Sequence, residues 1–116
     1  LEQFSISIPK NVITTEPLSY FQMIQLESNT KMILTDSGGV QKESFFFQKP
    51  CIVLRDETEW VEIVENGNAI LCGANSEKIT NAFKTFSKPL DLSYPLFYGD
   101  GYAAIKICKT LVDHLK

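Results

Sequence analysis

The sequence lacks three features that would each point to a partner or a compartment. Its basic residues do not cluster, since 11 Lys and Arg are scattered among 14 Asp and Glu, and the net charge is -3. This leaves no basic surface for a nucleic-acid backbone or an anionic membrane. No apolar run approaches the ~20 residues of a membrane-spanning helix, and the start, LEQFSISIPKN, lacks the basic and apolar regions of a signal peptide. We therefore expect a cytoplasmic protein without nucleic-acid or membrane partners.

Residues that bind metals are also scarce. The single histidine, His114, falls in the last turn of the final predicted helix, where such a side chain interacts with the helix C-terminus. The three cysteines, Cys51, Cys72 and Cys108, are an odd number at wide spacings, which favours reduced core thiols over disulfides or zinc ligands. We therefore expect neither a metal nor another cofactor.

The length and composition of the chain are typical of one globular domain, because its 116 residues are 44% hydrophobic and 22% charged. Short apolar runs alternate with helical patterns, and the runs are apolar on consecutive residues, as when helices cover both faces of a sheet. This alternation predicts an α/β fold with a parallel sheet flanked by helices. The predicted strands are residues 12–14, 32–34, 51–54 and 69–72, and the predicted helices are residues 17–28, 38–48, 58–65 and 76–86, before an irregular segment at 87–101 and a final helix.

Two of the predicted helices carry apolar stripes at helical spacing. Such stripes are typical of helix faces that pack in a core rather than of cofactor sites. We therefore expect both stripes to be buried. They consist of Ile79, Ala82, Phe83 and Phe86 in one helix and of Ala104, Cys108, Leu111, Val112 and Leu115 in the last.

The stretch TDSGGVQKE, residues 35–43, stands where a predicted strand passes into a helix. Ligands bind at the carboxyl ends of parallel strands, and the first amides of a helix are unpaired and carry the positive end of its dipole. Glycines at 38 and 39 would let a phosphate approach these amides, while Ser37 would either cap the helix or donate its hydroxyl to the phosphate.

Glu43 lies about one turn beyond Gly39, ~6 Å along the helix axis. At that distance its carboxylate can accept hydrogen bonds from the hydroxyls of a ribose attached to the phosphate. The motif therefore suits a sugar nucleotide, and the alternative is an ordinary capped helix with a solvent-facing Glu43. A trypsin-like serine nucleophile is excluded, because the only histidine lies downstream of the serine.

Residues 34–73, LTDSGGVQKESFFFQKPCIVLRDETEWVEIVENGNAILCG, and the later YGDGYAAIKI resemble the carboxyl-terminal domain of the non-hydrolysing UDP-N-acetylglucosamine 2-epimerases. The similarity extends from about Val12 to the end of the chain. It implies that residues 1–116 are the UDP-binding, C-terminal half of a glycosyltransferase B-type fold, in which two Rossmann-like domains enclose a UDP-sugar. The N-terminal domain would be absent from this sequence.

The resemblance also implies roles for individual residues. Ser37, Gly38 and Gly39 would hold the diphosphate and Glu43 the ribose hydroxyls. Met23, in EPLSYFQM, would lie against the uracil, although the same stretch is equally typical of a plain helix stripe.

RDETEW, residues 55–60, is expected to open a helix, with Asp56 and Glu59 spaced like a capping box. Arg55 would either meet the charge of the ligand or pair with a neighbouring carboxylate. Relatives commonly have arginine where this chain has Trp60, which would pack against the sugar or the other domain. The TEWVE form resembles epimerases of modified sugars.

The implied reaction inverts C2 of the amino sugar by elimination and re-addition of UDP, in the service of polysaccharide biosynthesis. The acid and base groups of that reaction do not map onto residues 1–116, so we expect no catalytic residue here and no turnover by the chain alone. The expected partners are the UDP-sugar, the missing N-terminal domain and, for the full-length protein, a second copy in a homodimer. The alternatives are epimerisation of a UDP-diacetamido-uronic acid, a B-type glycosyltransferase and a non-catalytic sensor.

Overall fold

The computed structural model describes residues 7–115, which form a parallel sheet with helices around it. The sheet has the order β1-β2-β3, and its register aligns Ile33, Cys51 and Ala69 across the three strands. This architecture confirms the predicted α/β fold. The elements are α1 (Tyr20–Asn29), β1 (Ile33–Thr35), α2 (Gly38–Phe46), β2 (Cys51–Val53), α3 (Val61–Glu65), β3 (Ala69–Leu71), α4 (Ser76–Phe86) and α5 (Ala103–His114).

The central strand β2 is buried on both faces, which explains its continuous apolar sequence. Cys51 and Val53 point to one side and Ile52 to the other, and all three are 0% exposed. The first side packs against α2 and α3, and the second packs against α4. The residues that complete the two clusters are Phe45, Ile63 and Ala69 on the first side and Cys72, Ala82 and Phe86 on the second.

The cysteines are free, and two of them have the environment expected from the sequence. Cys51 and Cys72 are buried, and burial raises the pKa of Cys51 to about 11. They are therefore protonated core thiols at neutral pH. Cys108 is exposed on α5, so the prediction of a core position was wrong for this residue.

The final helix differs from the expectation. α5 forms where predicted, and its last turn includes His114, whose Nδ1 lies 2.9 Å from the carbonyl oxygen of Thr110. None of its residues is buried, however: Leu111 is 57% exposed, and Leu115, just after the helix, is 86% exposed. The apolar stripe of α5 is suited to packing in a core, but no other element among the described residues packs against it.

The predicted strand at 12–14 is also not formed. These residues are irregular and exposed, with Ile13 at 89%. A short β-segment is stable only when its backbone pairs with a neighbouring strand, and among residues 7–115 the sheet ends at β1. The β-propensity of residues 12–14 was therefore not enough to form a strand without a neighbouring strand to pair with.

The segment 54–60 is a loop, so α3 begins at Val61 rather than at 58 as predicted. Thr58 Oγ1 accepts a hydrogen bond from the Trp60 amide at 3.1 Å and donates one to Gln41 Oε1 at 2.6 Å. Because these bonds tie the loop to the buried Gln41 of α2, residues 58–60 are held outside the helix. The predicted capping pair does not form, and Glu59 bonds to Arg55 instead.

Residues 87–101 are irregular, as predicted, and Leu92 packs against the cluster on the α4 side of the sheet. Asn66 and Asn68 both donate side-chain hydrogen bonds to the carbonyl oxygen of Ser93, at 2.9 and 3.0 Å. Tyr94 and Tyr98 then pack against the cluster around Phe45. Among residues 7–115, no helix is both long and apolar enough to cross a membrane.

Candidate functional site

The carboxyl ends of the three strands bring three loops to one edge of the sheet, where ligands bind in parallel α/β folds. The loops are residues 36–37, 54–60 and 72–75. Gly73 has φ +57° and lies so close to Asp56 that an added Cβ would overlap the carboxylate. The glycine therefore lets the second and third loops meet closely.

The first loop leaves the N-terminus of α2 open. Ser37 is the N-cap residue, yet its side chain makes no capping hydrogen bond, and its own amide donates to Thr35 Oγ1 at 3.0 Å. No acceptor from the described residues bonds to the amides of Gly38, Gly39 and Val40. Three unpaired donors and the positive end of a nine-residue helix thus face the sheet edge.

The two glycines that follow this loop, at the start of α2, have different surroundings. A Cβ at Gly39 would meet only Ser37 Oγ at 3.9 Å, so the space in front of its amide is open. A Cβ at Gly38 would lie 3.3 Å from Glu59 Oε2. Gly39 therefore leaves room for an outside group, whereas Gly38 also makes room for the protein's own second loop.

Arg55 lies beside this cradle of amides and is paired with Glu59. Its two terminal nitrogens donate to the two carboxylate oxygens at 2.9 and 3.2 Å. The hydrogen bond to this partner raises the pKa of Arg55 and lowers that of Glu59. Arg55 thus makes the carboxylate pair that was one of its two expected interactions, and its guanidinium remains partly exposed at the edge of the site.

Trp60 contacts the same cradle directly. Its indole Nε1 donates to the carbonyl oxygen of Gly38 at 2.7 Å. The Lys42 ammonium lies 4.5 Å from the Trp60 ring and 4.4 Å from the Tyr98 ring, and the two rings meet edge to face. Trp60 therefore joins the second loop to the first turn of α2.

Glu43 lies one turn further along α2 and is half-buried. Facing it from α1 is Glu27, which is 4% exposed and whose two carboxylate oxygens have no partner among residues 7–115. Burial, and secondarily the charge of Glu43, raise the pKa of Glu27. Two carboxyl groups thus approach each other where α1 packs against α2.

Five of the predicted site residues lie together, while Glu43 follows one turn along α2 and Met23 lies on α1. Gly38, Arg55 and Trp60 meet at one point, and Ser37 and Gly39 adjoin it. Met23 is half-buried on α1, which packs against α2, but it makes no described contact with the first loop.

Sequence reasoning missed Lys42, Tyr98 and Glu27. Lys42 and Tyr98 contact Trp60 but lie far from it in the sequence, so no local spacing predicts these contacts. Glu27 carried one signal in the sequence, because it follows Met23 and Ile24 by four and three residues and so shares their face of α1.

Comparison with known proteins shows the family of this chain. The family model described as UDP-N-acetylglucosamine 2-epimerase matches residues 1–112. A UDP-N-acetylglucosamine 2-epimerase homolog from Methanococcus maripaludis is 46% identical over 101 residues, which are 87% of this chain and 28% of the relative. A UDP-2,3-diacetamido-2,3-dideoxy-D-glucuronate 2-epimerase from Pseudomonas aeruginosa is 40% identical over 111 residues, which are 96% of this chain and 31% of that protein.

The structure is likewise similar to that of the UDP-GlcNAc 2-epimerase from Methanocaldococcus jannaschii, solved in complex with UDP-GlcNAc and UDP. The TM-score is 0.73 at 41% identity, over 84% of this chain and 27% of that one. This likeness confirms the expected glycosyltransferase B-type architecture. The chain spans about three tenths of the length of the curated relatives it matches, and it belongs to the UDP-N-acetylglucosamine 2-epimerase family.

Proposed function

We propose that residues 1–116 are the C-terminal, UDP-binding domain of a non-hydrolysing epimerase that interconverts UDP-N-acetylglucosamine and its manno epimer. The observation that carries the proposal is the open N-terminus of α2, where Ser37 does not cap and three amides have no described acceptor. An open helix end of this kind, in a chain of this family, fits the diphosphate of a sugar nucleotide.

The diphosphate would be held by Ser37, Gly38 and Gly39. The amides supply donors that are already oriented, and the Ser37 hydroxyl is not engaged in capping. Each hydrogen bond to a charged oxygen contributes about 1.5 to 3 kcal/mol. The absence of a Cβ at Gly39 keeps the approach free.

The nucleoside would extend from the cradle along α2. Glu43 would accept hydrogen bonds from the ribose hydroxyls, since it stands one turn beyond the phosphate amides and is only half-buried. Met23, on the neighbouring α1, would lie against the uracil. Its half-buried side chain supplies an apolar surface for the face of a base.

Arg55 and Trp60 would border the diphosphate on the side of the second loop. Arg55 is paired with Glu59, whose carboxylate lies nearer to Gly38, so Arg55 would meet a phosphate by sharing or exchanging this partner. Trp60 lies at the edge between the cradle and the region in which the sugar would extend.

The rest of the longer protein would supply the chemistry. The acid and base groups that move protons at C2 and C3 and at the glycosidic oxygen would come from an N-terminal domain facing this one. The chain alone would bind UDP weakly and turn nothing over, and the full-length protein would act as a homodimer. The free cysteines agree with a reducing compartment such as the cytoplasm.

Titration of the chain with UDP, UMP and UDP-N-acetylglucosamine tests the proposal, using wild type and Glu43→Ala. We expect the substitution to weaken UDP binding by about 1 to 3 kcal/mol, because the ribose bonds are lost. The matched control is Glu65→Ala, which removes an exposed glutamate from α3. A wild-type chain that does not bind UDP refutes the proposal, and equal affinity in wild type and Glu43→Ala removes Glu43 from the site.

The second candidate substrate is a modified sugar nucleotide. It is favoured by the 40% identity to the Pseudomonas aeruginosa enzyme named for UDP-2,3-diacetamido-2,3-dideoxy-D-glucuronate. The full-length protein, incubated separately with that compound and with UDP-N-acetylglucosamine, would identify its substrate by which of the two is epimerised.

A further inference from the structure

Trp60 forms a hydrogen bond that links the second loop to the phosphate cradle. Its indole Nε1 lies 2.7 Å from the carbonyl oxygen of Gly38, the first residue of α2. This carbonyl belongs to the same peptide group as the amide of Gly39. Because a peptide group is planar and trans, its C=O and N–H point in opposite directions. The indole therefore fixes one end of a rigid plane whose other end is a phosphate donor.

The two residues on either side of this plane are glycines, which have more backbone freedom than any other residue. A Cβ at Gly39 would touch only Ser37 Oγ, so neighbouring side chains restrain this peptide little. The Gly38 carbonyl accepts the first hydrogen bond within α2, from the Lys42 amide, and the bond from Trp60 adds a second restraint from outside the helix. It also polarises the peptide, which strengthens the Gly39 N–H as a donor, because linked hydrogen bonds reinforce one another.

Trp60 is itself held in place by three neighbours. Its amide donates to Thr58 Oγ1 at 3.1 Å, and Thr58 is bonded in turn to the buried Gln41. Its ring lies against the Lys42 ammonium on one side and meets the Tyr98 ring at 83°. The indole N–H is thus presented to Gly38 from a fixed position, as an effective positioning group requires.

We infer that Trp60 is a positioning residue for the diphosphate, acting through the Gly38 carbonyl to orient the Gly39 amide rather than by touching the ligand. The inference rests on the proposed function, because it assigns a role within the same site. It predicts that loss of the indole N–H weakens binding of the phosphates and leaves binding of the nucleoside unchanged.

Trp60 is the only tryptophan in the sequence, which allows a substitution of minimal size. Biosynthetic replacement of tryptophan by β-(3-benzothienyl)alanine alters this one side chain, keeping its shape and removing its N–H. We expect UDP affinity to fall about 3- to 10-fold, the usual effect of one hydrogen bond, and uridine affinity to stay the same. Trp60→Phe, a second variant that keeps an aromatic ring and lacks the N–H, should show the same split, with circular dichroism confirming that both proteins fold.

Each other outcome overturns the inference in a distinguishable way. Equal UDP affinity in the natural and the substituted chain overturns this inference and leaves the proposed function standing. An equal loss for UDP and uridine also overturns it, because it would show a general structural role. Absence of UDP binding to the unsubstituted chain refutes the proposed function and this inference with it.

Discussion

The helices α2 and α4 begin at the same edge of the sheet, after strands β1 and β3, but their N-termini differ. In α4 the Asn75 side chain accepts a hydrogen bond from the Lys78 amide at 2.9 Å, and Glu77 follows in the first turn. In α2 the equivalent Ser37 makes no cap, and the first two helical residues are glycines without an acidic neighbour in the first turn.

The difference shows that the same position in a fold can be capped by the protein or left open. Both helix ends carry unpaired amides and the positive end of a dipole. At α4 the Asn75 oxygen satisfies the Lys78 amide, and Glu77 places a negative charge in the first turn. At α2 the first three amides have no acceptor among the described residues, and the charged side chains beside them, Arg55 and Glu59, are paired with each other.

The largest expected effect comes from giving α2 the sequence of α4. Gly39 and Glu77 are each the second residue of their helix, so Gly39→Glu reproduces the closed end. We expect UDP affinity to fall by about 3 kcal/mol or more, because the carboxylate takes the place of the phosphate. The free energy of unfolding should rise by about 1 kcal/mol, since glycine leaves the helix and a negative charge meets its dipole.

Calorimetry measures this affinity and denaturant unfolding measures the stability. The matched control is Glu77→Gly in α4, which should lower the stability and leave UDP binding unchanged. If Gly39→Glu bound UDP as wild type does, the end of α2 would not be the phosphate site.

Substitution of the two N-cap residues should give effects of intermediate size. One substitution should lower mainly the UDP affinity and the other mainly the stability. Ser37→Ala should cost less than about 0.5 kcal/mol of stability, because no capping bond is lost, and about 1.5 to 3 kcal/mol of UDP affinity. Asn75→Ala should cost about 1 kcal/mol of stability by removal of its cap and no UDP affinity. Thermal unfolding with and without UDP measures both quantities, and similar behaviour of the two variants would remove the distinction between the helices.

The smallest expected effect concerns the buried carboxyl group of Glu27, on α1. The pKa of Glu27 is raised above its ordinary value of 4.5, so the folded state binds this proton more tightly than the unfolded state does. The stability from Glu27 is therefore full below that ordinary value and is lost as pH rises through the raised pKa. Glu27→Gln should be more stable than wild type at pH 7, and this difference in stability should shrink as the pH falls to 4.

Denaturant unfolding at both pH values measures this difference. The control is Glu65→Gln, an exposed substitution that should show no such pH dependence. A gap between Glu27→Gln and wild type that widened on acidification would contradict the assigned direction.

The sheet was predictable because its burial leaves a local pattern. Cys51, Ile52 and Val53 are apolar in succession because helices cover both faces of β2. The segment 12–14 and α5 carry similar local patterns but are exposed, since burial depends on a partner surface that periodicity does not specify.

The site was predictable to the same extent. Ser37 and Gly39 lie two residues apart in the sequence, so their spacing predicted the open helix end. The hydrogen bond from Trp60 to Gly38 and the contact of Lys42 with Tyr98 join residues far apart in sequence, and only the folded chain shows them. The start of α3 was misplaced for the same reason, because Thr58 is held by Gln41 on another helix.

The most direct test of the central claim is a two-dimensional ¹H–¹⁵N NMR titration of the chain with UDP, with uridine as the comparison ligand. We predict large shifts of the Gly38, Gly39 and Val40 amide signals with UDP and much smaller ones with uridine. The Lys78 amide, already bonded to Asn75, should stay unchanged in both titrations. UDP binding that left the three α2 amides unshifted would contradict the account.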